Sequence, residues 1–246
     1  MANDPSITFN RAAVQPMVCL NAGFALIKDQ YWLFLGMALV GMLIGSAVPM
    51  GILMGPMMCG LFWSFFQIRR GQRVEFGNLF KGFDFFGQSV IATLLHMVPI
   101  MAIVIPAYIV FYVGFVLAMI SQQGNEPSPG AAVGFLLALV VFVLFIMVVV
   151  ISISIGFTFV YPLIVDRGLP GFDAVKLSFK AAFANFWPLL GLILLNALMN
   201  LAGALLCIVG VYLVLPIGYA ALAVAYEQVF GLGEPVVNMP PPPPIF

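Results

Sequence analysis

Four stretches of the chain, residues 32–66, 90–120, 131–165 and 188–225, are apolar and carry no charged side chain. They run 35, 31, 35 and 38 residues, whereas one membrane span needs about 20. Each is therefore a single long, tilted helix or a tight helical hairpin. Turn signals favour a hairpin in two of them. The first is interrupted by Gly45, Ser46, Ala47, Val48 and Pro49, and the fourth more weakly between Gly203 and Gly210. The third, LLALVVFVLFIMVVVISISIG, has no turn residue near its middle. Pro99 and Pro106 are potential breaks in the second.

The basic residues choose between the alternatives, because short cytoplasmic loops collect Lys and Arg. Arg11 and Lys28 precede the first stretch, and Arg69, Arg70, Arg73 and Lys81 follow it. Arg167, Lys176 and Lys180 precede the fourth, while SQQGNEPSPG between the second and third holds only Glu126. With the outer stretches as hairpins and the middle two crossing once, all nine basic residues share one side. An eight-helix arrangement keeps them together too, but the third stretch offers no place to fold. The expected architecture is an all-α integral membrane protein of six transmembrane helices, with both termini cytoplasmic. Residues 1–231 form a single membrane domain and 232–246 a proline-rich tail.

An internal repeat is also expected. At a constant offset Met17 falls on Phe172, Phe24 on Phe179, Tyr31 on Phe186, Trp32 on Trp187 and Gly36 on Gly191. After a five-residue shift Pro56 falls on Pro216 and Phe66 on Tyr226. The halves are about 17–86 and 172–231. Residues 17, 20, 24, 27 and 31 make a one-faced apolar stripe, which 172, 175, 179, 182/183 and 186 repeat. Both segments read as amphipathic helices lying in the membrane interface, with Trp32 and Trp187 anchoring the turn into the bilayer. An even number of spans between the copies predicts a pseudo-twofold axis along the membrane normal.

Composition sharpens this picture. The chain is 63% hydrophobic and 7% charged, and its nine basic and nine acidic residues cancel. A soluble domain is nearer a quarter charged, and a neutral chain gives nucleic acid no electrostatic footprint. The polar start, MANDPSITFNRAAVQP, lacks the layout of a cleavable signal peptide. Cys19, Cys59 and Cys207 stand singly, so they read as packing residues, and no metal site is expected.

The segments RRGQRVEFGNLFKGFDFFG, YPLIVDRGLPGFDAVKLSFKAAFANFWPLLGLILL and CIVGVYLVLPIGYAALAVAYEQVFG resemble a widespread group of uncharacterised bacterial inner-membrane proteins. That group includes the membrane region fused to some glycerophosphodiester phosphodiesterases. The resemblance covers most of 17–231 and implies a six-helix fold in the bacterial cytoplasmic membrane. It brings no catalytic residues, and the fused hydrolase domain has no counterpart here.

Candidate chemistry is sparse. His96, the one histidine, lies eight residues past Gln88, roughly 12 Å into the membrane at 1.5 Å per residue. No cofactor is expected. His96 is the residue that would ligate a haem or chlorin, against the plainer reading of an imidazole bonded to Ser154 or Thr158 of the next helix. Asp166 and Arg167 read as a salt-bridged or solvated helix end. Gly41-x-x-x-Gly45 and Gly51-x-x-x-Gly55 permit close helix packing.

The basic cluster Arg69, Arg70, Arg73 and Lys81, interleaved with Phe76, Phe80, Phe83, Phe85 and Phe86, is a contact surface for anionic lipid headgroups or a partner. Pro240, Pro241, Pro242, Pro243 and Pro244 form a stiff polyproline II rod of the kind that aromatic grooves read. No carboxylate lies inside any apolar stretch, so an intramembrane enzyme or a carboxylate-coupled transporter is disfavoured. The expected function is a non-catalytic membrane subunit or scaffold binding lipids and partner proteins, the alternative being a passive conduit or transporter.

Overall fold

The structure, a computed structural model, describes residues 8–48, 51–121, 129–205 and 208–233. Pro240–Pro244 and the expected rod thus lie outside the described residues, as do Pro49 and Cys207. Among the described residues there are nine α-helices and no strand: α1 (Pro16–Ile27), α2 (Tyr31–Ala47), α3 (Met54–Arg69), α4 (Phe86–Ser121), α5 (Pro129–Phe157), α6 (Val160–Arg167), α7 (Gly171–Ala184), α8 (Phe186–Leu205) and α9 (Ile208–Phe230). Two 3₁₀ segments, Lys28–Gln30 and Phe76–Phe85, precede α2 and α4.

Five helical stretches are long and apolar enough to cross a membrane: Pro16–Ala47, Phe76–Ile120, Val133–Arg167, Phe186–Leu205 and Gly210–Phe230. The sixth expected span, α3, has 16 residues, short of the usual 20 or so. A helix break falls at the first anticipated hairpin, between α2 and α3, and at the second α8 and α9 pack against each other. Gly203 and Gly210 touch at the second, where a Cβ on Gly203 would come 2.7 Å from the Gly210 carbonyl. Pro99 and Pro106 do not interrupt α4, because a helix in lipid keeps its remaining backbone bonds.

The chain divides into two compact units, Met1–Leu94 with Ile155–Phe246, and Leu95–Ser154. In the first unit α3 is the core helix, packed against α2, the second 3₁₀ segment, α6 and α9. Phe65 stacks on Phe34 at 4.8 Å and Phe66 meets Tyr226 at 5.4 Å. In the second unit Phe111 stacks on Phe142 at 4.4 Å and Phe115 meets Phe135 at 4.7 Å. Its helices bury little, since the most apolar windows of both candidate spans that supply it contain no buried residue.

One helix break depends on a tertiary contact. Between α5 and α6 the Phe159 amide donates to Ser178 Oγ at 3.1 Å, and that hydroxyl donates to the Gly156 carbonyl at 2.6 Å. One serine of α7 thus meets backbone groups that a helix break in an apolar setting would otherwise orphan. At the other end of α6, Gly168 takes a left-handed conformation (φ 63°) and donates to the Ile164 carbonyl, and Pro170 blocks continuation.

Each apolar stripe is divided between surface and core. Met17, Phe24, Phe172 and Phe183 are exposed, while the buried positions are Cys19, Gly23 and Ile27 in α1 and Gly171, Ala174, Ser178, Ala181 and Ala182 in α7. Small residues let backbones meet: a Cβ on Gly23 would fall 2.6 Å from the Ala221 nitrogen of α9. This is the packing logic of a lipid solvent, in which large apolar groups gain nothing by leaving the surface. At the offset read from the sequence Cys19, Gly23 and Ile27 fall on Ala174, Ser178 and Ala182, whereas the buried Gly171 and Ala181 fall on half-buried Pro16 and Leu26.

Candidate functional site at the basic end

The described acidic and basic residues of greatest burial gather where α3, α6 and α9 end. Asp166, the penultimate residue of α6, is 1% exposed. Its Oδ1 accepts from Arg70 Nη2 at 2.9 Å, and its Oδ2 accepts from Tyr226 Oη at 2.8 Å and from the Gly233 amide at 2.9 Å. Arg167 Nε makes an ion pair with Oδ2 at 3.2 Å. Burying a carboxylate is costly unless such donors meet it.

The same groups clamp the chain after α9. Arg70 also donates to the Gly233 carbonyl at 3.1 Å, and Arg167 to the carbonyls of Phe230 at 3.0 Å and Gly231 at 3.3 Å. Alongside, Arg69 grips Glu227 with Nε at 2.9 and 2.8 Å and Nη2 at 2.7 Å. The segment before α1 joins this end: the Asn10 amide donates to Val229, the Ala13 amide to Asn185 Oδ1, and the Gln15 amide to Gln228 Oε1. Residues preceding the first helix, ending α3 and α6, and following the last helix therefore meet at one end of this unit.

The expected contact surface is only partly assembled. Arg69 and Arg70 are engaged within the chain, leaving Arg73 and Lys81 as the exposed cations of the cluster outside these ion pairs. The phenylalanines sort by the geometry of their segment, since a 3₁₀ helix has three residues per turn and stacks i on i+3. Leu79 and Gly82 are buried, Phe80, Phe83 and Phe86 are exposed, and Lys81 and Asp84 are exposed on the third face. Phe80 and Phe83 stack at 6.5 Å, and Phe83 and Phe86 at 6.2 Å. Phe76 is exposed and Phe85 half-buried against Trp63.

Two glycines lock this register. A Cβ on Gly60 would fall 1.8 Å from the Leu79 carbonyl oxygen, and one on Gly82 1.8 Å from that of Pro56. Sequence reading overlooked both glycines, because neither belongs to a spaced motif, and it did not pair Asp166 with Arg70. His96 lies half-buried in α4, remote in sequence from these residues. Among the described residues no three His, Cys, Asp or Glu side chains group as a metal site.

This arrangement, with five helices of membrane-crossing length, is that of an all-helical multi-pass membrane protein. No protein-family model, curated protein or solved structure matches the chain.

Proposed function

We propose that the chain is a non-catalytic integral membrane subunit or scaffold that binds lipids and a partner complex at the cytoplasmic face of a bacterial inner membrane. The observation that carries this reading is the division of labour at the basic end. Arg69, Arg70, Asp166, Arg167 and Glu227 engage one another, which suits a structural clamp better than a proton-transferring site. The exposed phenylalanine ladder, flanked by Lys81 and Arg73, offers the aromatic and cationic groups that dominate interface energetics. α3 serves as the sixth span, short because it is sheathed by protein on most sides. The likeness of RRGQRVEFGNLFKGFDFFG to the bacterial group is in keeping with this placement.

The paired halves rest on matching detail. Tyr31 and Trp32 meet edge to face at 5.6 Å and 79°, and Phe186 and Trp187 at 5.5 Å and 81°. Both tryptophans are more than 70% exposed, as interfacial anchors are. The decisive experiment deletes Pro240–Phe246 and compares the size of the complex extracted in mild detergent. The truncated chain should fold and lose its partner. Full retention of the partner, or a full-length chain that runs alone, would leave the conduit reading as the better one.

A further inference from the structure

Five of the chain's methionines surround one opening. Met37 and Met42 of α2 and Met54, Met57 and Met58 of α3 line it, with Tyr219 of α9 at the side. Residues 54, 57, 58 and 61 share one face of α3. The Gly41/Gly45 motif admits that face to α2: a Cβ on Gly45 would lie 3.1 Å from Met54 Sδ, and one on Gly41 3.6 Å from Met57 Cβ. Met37 and Met57 are buried, while Met42, Met54 and Met58 are half-buried, so the lining runs from the core to an open mouth.

The opening has room for roughly one water-sized guest. Its guest must be small. A buried water wants two to four polar partners, and the one phenol here does not supply them. Hard cations want carboxylate or carbonyl oxygens, and no acidic side chain lines the opening. Thioether sulfur is a soft, polarisable, neutral donor suited to Cu(I). We propose that this methionine-lined opening between α2 and α3 is a binding site for Cu(I), held by thioethers. The ion keeps access through the mouth, so it need not enter a closed apolar core.

The test uses the full chain purified in detergent, with Cys19, Cys59 and Cys207 all replaced by alanine to remove competing thiolates. Titrated with Cu(I) against bicinchoninate, it should retain about one ion per chain, a stoichiometry the proposal itself sets by naming one site. Met54→Leu with Met57→Leu conserves volume, so the melting temperature should hold while Cu(I) affinity falls at least roughly tenfold. In the unmodified chain the same pair should remove one equivalent. Complete stripping of the cysteine-free chain by the chelator would overturn the proposal, and so would equal Cu(I) retention with and without the two methionines. Either result would make these side chains irregular-gap filler. If the cysteine-free chain does not fold, the unmodified-chain comparison decides alone.

Discussion

Arg70 and Asp166 are 96 residues apart in the chain, yet Nη2 of one donates to Oδ1 of the other at 2.9 Å. Their side chains are 14% and 0% exposed, so neither charge has full access to water in place of its partner. Breaking one partner of such a pair typically costs about 3–5 kcal/mol, whereas replacing both with apolar groups costs far less. Asp166→Ala should therefore lower the melting temperature in detergent sharply. Asp166→Leu combined with Arg70→Leu should recover much of the loss. A double variant as unstable as the single one would show that the Tyr226 and Gly233 bonds, not the ion pair, dominate this site.

Gly60 and Gly77 make a matched comparison. A Cβ on Gly60 meets the Leu79 carbonyl oxygen at 1.8 Å, while one on Gly77 meets nothing within 4 Å. Gly60→Ala should cost roughly 4–5 kcal/mol or more by forcing the 3₁₀ segment off α3. Gly77→Ala should be nearly neutral. Thermal melting in detergent reads both, and equal effects would mean that the segment is not held by its contact with α3.

The long helices were legible in the sequence because they follow from local features: long apolar runs, and glycine or proline near the hairpin turns. Three features escaped for physical reasons. Over the ten residues of Phe76–Phe85, a period of three barely differs from 3.6, so the sorting of Phe80, Phe83 and Phe86 from Leu79 and Gly82 was hidden. The break at Thr158 and Phe159 carries no glycine or proline and depends on Ser178 from another helix. The core contacts of α1 and α7 run through small residues such as Gly23, Ala174 and Ser178, which an apolar stripe of large side chains does not reveal.

Topology is open to chemical labelling. With both basic loops cytoplasmic, Gln72→Cys should react with a membrane-impermeant maleimide only after the cell is opened. Gln123→Cys should react from outside. The reverse pattern would invert the whole arrangement.

His96→Gln retains hydrogen-bonding capacity at similar size. The variant should match the parent in elution volume and in visible absorbance, as a structural imidazole requires. A coloured preparation bleached by this one change would instead identify His96 as an axial ligand to haem or chlorin.

Two phenylalanines should separate folding from recognition. Phe65 is fully buried and stacked on Phe34 at 4.8 Å with an interplanar angle of 7°, so Phe65→Ala should cost about 3–5 kcal/mol. Phe83 is 39% exposed and sits between Phe80 and Phe86. Each ring pair contributes roughly 0.5–1.5 kcal/mol beyond burial, so Phe83→Ala should lower stability only modestly. Retention of a partner complex should respond in the opposite order. Phe83→Ala removes the central rung of the exposed ladder and should release the partner from a well-folded chain, and Lys81→Gln should weaken the same association in a salt-dependent way. Phe65→Ala chains that still fold should keep the partner. Melting curves and complex size, measured on the same preparations, give both readouts. A Phe83→Ala chain that keeps its partner fully would assign the ladder to lipid contact alone.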